Sequence, residues 1–71
     1  INLRHDYSEA WHFRGYVKYF AKKYDEATTD VNKAIEYNPL NSEAYYVRGC
    51  IEFDQANDEK ALSALNQALE I

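Results

Sequence analysis

Seventy-one residues are enough for one small folding unit and too few for a large enclosed core. The net charge of -4 and a pI near 5.0, with Lys and Arg scattered among carboxylates, leave no basic stripe to neutralise a phosphate backbone, so nucleic acid is not an expected partner. Apolar runs are a few residues long, far below the roughly 20 that a membrane span needs, no charged start with an apolar core marks a secretory signal, and the lone Cys50 fits a reducing, intracellular setting because it has no intramolecular disulfide partner.

Taken in chain order, the elements repeat. Ser8-Glu9-Ala10-Trp11 and Arg14-Gly15 return 34 residues later as Ser42-Glu43-Ala44-Tyr45 and Arg48-Gly49. Val17/Ile51, Tyr19/Phe53, Ala27/Ala61, Val31/Leu65, Asn32/Asn66, Ala34/Ala68, Ile35/Leu69 and Glu36/Glu70 hold the same register. A period of this length belongs to a helix-turn-helix unit that buries its apolar face against its neighbours, so the fold class is all-α, an α-solenoid of four helices. Ile1 and Leu3 stand in the register of Ile35 and Tyr37, so residues 1–7 are expected to be the last turn of a preceding repeat in a longer array.

The first helix is expected from Ser8 to Lys22, with Ser8 as its N-cap and Glu9 in its first turn. The second runs from Asp25 to Tyr37 and stops at Asn38-Pro39, because proline disfavours helical geometry in the residue before it. The third spans Ser42 to Gln55, capped by Ser42, and the fourth Glu59 to Ile71 after a turn at Ala56-Asn57-Asp58. Mid-helix Gly15 and Gly49 each cost about 1 kcal/mol relative to Ala, which is consistent with close approach of the second and fourth helices at Ala27 and Ala61.

At 100° per residue, Trp11, Arg14, Gly15, Val17 and Lys18 share one arc of the first helix, and Glu9, His12, Tyr16, Tyr19 and Phe20 the opposite one. Charges on the packing arc need partners, which predicts a polar seam of Arg14 and Arg48 around Asp30, with Arg48 and Glu52 as an i,i+4 pair.

The register of Ala10-Trp11, Gly15, Tyr24, Ala27, Ala34 and Pro39, followed by Ala44-Tyr45, Gly49, Ala61, Leu65 and Ala68, resembles the tetratricopeptide repeat family over the whole chain. The resemblance implies a right-handed superhelix, with residues 8–41 as one repeat and 42–71 as a second that ends before its terminal proline. Arg14 and Arg48 stand where the family usually has an aliphatic residue, Lys18 and Glu52 where an aromatic is common, and His5 where a leading partial repeat would have proline. It also implies a concave groove formed by Glu9, His12, Tyr16, Tyr19 and Phe20 with Glu43, Tyr46, Cys50, Phe53 and Asp54. Family modules that hold the acidic tails of chaperones use Lys, Asn and Arg there; the matching positions here are His12, Tyr16, Glu43 and Val47, so no such clamp is present in these repeats.

An aromatic groove with an acidic edge fits a protein or peptide of basic or apolar character. The competing reading is a structural segment that self-associates through its end, where residues 59–71 carry Leu62, Leu65, Leu69 and Ile71 with no following helix to cover them. Glu9 and His12 lie one turn apart near His5 and Asp6, but the spacing matches no ligand motif. With no glycine-rich phosphate loop, no nucleophile elbow and no evident base for Cys50, neither metal, cofactor nor catalysis is expected.

Overall fold

Proline and two tight turns divide the chain into helices. The computed structural model describes residues 3–70, and side chains from residue 7 to residue 70; Ile1, Ile71 and the side chains of Leu3, His5 and Asp6 lie outside the described residues. Helices α1 (Leu3–Phe20), α2 (Tyr24–Tyr37), α3 (Ser42–Asp54) and α4 (Asp58–Glu70) follow in order. Helix α1 packs on α2 and α3 on α4, while α3 also touches α1 and α2. The result is a slab of 38 × 27 × 14 Å.

Both expected serine caps are corrected. Helix α1 begins at Leu3, so Ser8 lies inside it, fully buried, and its hydroxyl donates to the Ala34 carbonyl of α2 at 2.7 Å. Helix α3 is capped by Asn41, whose side chain accepts from the Ala44 N–H at 3.1 Å, and Ser42 is its first helical residue. Serine and asparagine have similar N-cap preference, and the choice falls to the residue that also has partners across the helices.

The turns after α1 and α3 share one geometry. Lys22 and Ala56, 34 residues apart, have φ of 60° and 63°. Lys22 N–H donates to Tyr19 O and Lys23 N–H to Lys18 O; Ala56 N–H donates to Phe53 O and Asn57 N–H to Glu52 O. Each is a Schellman ending, in which a left-handed residue lets two amides satisfy the last carbonyls of the helix. After α2 the ending differs: Asn38 is extended ahead of Pro39, and its side-chain oxygen accepts the Leu40 N–H at 3.1 Å.

The core is formed by Ala27, Val31 and Ala34 of α2 against Ala44, Val47 and Ile51 of α3, with Trp11, Tyr19, Tyr24 and Ile35 around it. Small residues here let the helix backbones approach. A Cβ added at Gly15 would stand 2.9 Å from Val31 Cγ2 and 3.2 Å from the Ala27 carbonyl oxygen; at Gly49 it would meet Leu65 at 2.9 Å and the Ala61 carbonyl oxygen at 3.4 Å. The close approach thus involves the alanine backbones together with the next apolar side chain along each partner helix.

The charges on the packing arc include the expected Arg14–Asp30 and Arg48–Glu52 pairs, with Lys18 where Arg48 was expected as the second cation at Asp30. Asp30 is buried, and its Oδ2 stands 3.2 Å from both Arg14 Nε and Lys18 Nζ, with Lys18 also 3.5 Å from Glu26. These are charge contacts, since Oδ2 lacks an aligned hydrogen bond. Arg48 makes the expected i,i+4 pair with Glu52, its Nε donating to Oε1 at 3.2 Å. Lys18, one turn beyond Arg14 on the same helix, is the second cation at Asp30. Arg14 is mostly exposed and lies over the Trp11 ring at 5.6 Å, so this arc reaches the surface and is not wholly inward-facing.

Candidate functional site

Helices α1 and α3 run side by side and leave a pocket of about 280 Å³ between them, lined by His12, Phe13, Tyr16, Glu43, Tyr46 and Val47. Its lining is mainly apolar: Phe13, Tyr16 and Tyr46 are exposed around it, and Val47 is buried.

A polar network underlies the pocket. The Asn41 amide donates to Ser8 Oγ at 2.8 Å and to His12 Nδ1 at 2.9 Å, while its oxygen takes the Ala44 N–H. With the amide nitrogen donating to Nδ1, the neutral imidazole carries its proton on Nε2. That nitrogen is 3.1 Å from Glu43 Oε2, close enough for electrostatic attraction, although the alignment falls short of a hydrogen bond. His12 is therefore a buried residue beneath the groove and not an open contact position, whereas the Glu43 side chain is 73% exposed.

Aromatic contacts continue along α1. Tyr16 and Phe20 meet edge-on at 4.7 Å and Phe20 and Tyr19 at 5.5 Å, while Tyr19 and Tyr24 lie tilted at 6.2 Å. At this end the Tyr24 hydroxyl donates to Asp54 Oδ2 at 3.2 Å. The Tyr19 phenol is pushed up to about 12, first by burial and then by hydrogen bonding and charge from Asp54. Burial and the same carboxylate raise Tyr24. Asp54 therefore joins α3 to the end of α1 and the start of α2. The Tyr46 phenol is raised, first by its electrostatic interaction with neighbouring Cys50, then by hydrogen bonding to that side chain.

The ten expected groove residues divide into groups. His12, Tyr16, Glu43 and Tyr46 meet at the pocket; Tyr19, Phe20 and Asp54 belong to the aromatic end. Cys50 is half-buried beside Tyr46, and Glu9 is half-buried on α1. Phe53 is two-thirds exposed and takes no part in the pocket lining. Phe13 and Asn41 belong to the site although the helical arcs did not select them. Phe13 adjoins His12 with ring centroids 4.5 Å apart, and the position of Asn41 immediately before the third helix was a capping signal. Among the described residues, no group of three His, Cys, Asp or Glu side chains is placed to hold a metal ion, and no helix is long and apolar enough to cross a membrane.

The model of the tetratricopeptide repeat family matches residues 8–39 and again 42–71. The chain belongs to the tetratricopeptide repeat family. No curated protein matches it at a significant level. Tetratricopeptide repeats are helical-solenoid units that serve as non-catalytic protein-interaction modules and typically bind proteins or peptides. The two matched segments share the α1–α2 and α3–α4 hairpins, so in this tetratricopeptide repeat pair the pocket lies between the first helices of consecutive repeats.

Proposed function

We propose that this chain binds a protein or peptide segment along the groove between α1 and α3, by surface complementarity and without chemical turnover. The observation that carries this reading is the pocket itself: Phe13, Tyr16 and Tyr46 are exposed around it, while the polar groups beneath bond to one another. Aromatic side chains supply large contact area for little lost conformational freedom, which suits them to anchor a partner. Glu43 disfavours an acidic chaperone tail at this site. Alanine at Tyr16, Tyr46 and Phe20 tests the reading against peptides selected from a displayed library. Lost affinity with an unchanged helical melt supports recognition; loss of the fold assigns these rings to packing.

A second reading, a structural segment that associates through its end, is favoured by the outer face of α4. Leu69 is 85% exposed, whereas its counterpart one period earlier, Ile35, packs against the core. Sedimentation velocity on the chain and on Leu69→Glu separates the readings: an oligomer dispersed by the substitution supports association through α4, and a monomer in both excludes it.

A further inference from the structure

We propose that the pocket between α1 and α3 receives the side chain of a lysine or arginine from the bound segment. The inference rests on the groove reading above and specifies what the groove selects. The walls of the pocket are Phe13, Tyr16, Tyr46 and Val47, and its carboxylate is Glu43. A long basic side chain matches both parts: its methylene stem lies along apolar surface while its charged end remains near water and a counter-ion. Aromatic rings among the lining can attract a cation that meets their faces.

The orientation of Glu43 supports this choice of occupant. Its Oε2 stands 3.1 Å from His12 Nε2, and the imidazole is held from behind by Asn41, so the carboxylate lies at the pocket beside a buried polar nitrogen. The contact involves one carboxylate oxygen and leaves a largely exposed side chain able to meet a cation.

An anionic occupant is the competing chemistry, because the N-terminus of a helix attracts negative charge. Here that end of α3 carries its own cap and its own negative charge. Asn41 takes the Ala44 N–H with its side chain and the Tyr45 N–H, at 3.4 Å, with its carbonyl, and Glu43 lies in the first turn. An incoming carboxylate would be repelled by the Glu43 charge in that first turn. Charge complementarity with a net charge of -4 favours the cation as well.

The test titrates the full chain with acetylated, amidated peptides Ala-Ala-Xaa-Ala-Ala, in which Xaa is Lys, Arg, norleucine or Glu, followed through backbone amide shifts into the millimolar range. The expected result is saturable shifts at Phe13, Tyr16, Glu43 and Tyr46 with Lys and Arg, weaker by about fivefold or more with norleucine and absent with Glu. Glu43→Gln removes the charge while keeping the shape, and should bring Lys to the level of norleucine with unchanged circular dichroism. Groove shifts indifferent to Xaa overturn the cation pocket and leave the groove reading standing. Groove shifts strongest with Glu reverse the charge preference and overturn the inference. Saturable shifts confined to α4, or none with any peptide, overturn the inference; groove shifts with library-selected peptides then decide the groove reading separately.

Discussion

Asn41 Nδ2 donates to His12 Nδ1 at 2.9 Å, and through this bond the residue that caps α3 also fixes the imidazole of α1. One side chain thus starts the second repeat and holds it to the first. Replacing Asn41 by Ala should cost about 2–4 kcal/mol, from the lost cap and the buried partners left unpaired. Asn41→Ser preserves a cap without the two amide donors and should fall between wild type and Ala. Urea denaturation monitored by circular dichroism checks the order, and a Ser variant as stable as wild type contradicts it.

The glycines predict a ranking. Alanine gains about 1 kcal/mol of helix propensity over glycine, while forcing an extra methyl into a packed contact costs about 1–3 kcal/mol. At Gly15 the added Cβ meets fully buried Val31 at 2.9 Å and a backbone oxygen at 3.2 Å, so Gly15→Ala should be destabilising by up to about 2 kcal/mol. At Gly49 the obstruction is the half-buried Leu65 of α4, which has more room to turn, and Gly49→Ala should be milder. Thermal melts of the two variants give the comparison, and equal losses would contradict it.

Ala56 and Lys22 occupy left-handed turns that disfavour a Cβ. Ala56→Gly should therefore stabilise by about 0.5–1 kcal/mol, the relieved strain outweighing the added freedom of the unfolded chain. A lower melting temperature for this variant would contradict the Schellman geometry at the end of α3.

The raised Tyr19 phenol gives a signed pH dependence. Its value rises from 10.0 to about 12 on folding, so the folded chain holds the phenolic proton more tightly. The associated stability is fully present below about pH 10 and is lost as pH rises through 12. Tyr19→Phe should flatten the dependence in that interval, checked by chemical denaturation at successive pH values alongside tyrosinate absorbance. An unchanged slope in Tyr19→Phe would remove Tyr19 as its source.

The fold was legible because it is written twice. The 34-residue register locates the paired helices, Pro39 ends the second, and Gly15 and Gly49 mark the close crossings. Cap identity was less legible: Asn41 and Ser42 are neighbouring cap formers, and only the three-dimensional meeting of Asn41 with Ser8 and His12 decides between them. The left-handed turn residues were hidden because Lys22 and Ala56 carry no glycine signal. For the site, the helical arc selects Tyr16 and the family resemblance Tyr46, but neither gives depth; the arc places buried His12 and exposed Tyr16 on the same face and passes over Phe13 at the edge.

The most direct measurement is an amide chemical-shift map of the full chain with a peptide selected from a displayed library. Binding through the groove predicts saturable shifts centred on Phe13, Tyr16, Glu43, Tyr46 and Val47, with affinity lost in Tyr46→Ala. Shifts centred on Leu62 and Leu69, with full affinity retained in Tyr46→Ala, would contradict it and transfer the interaction to α4.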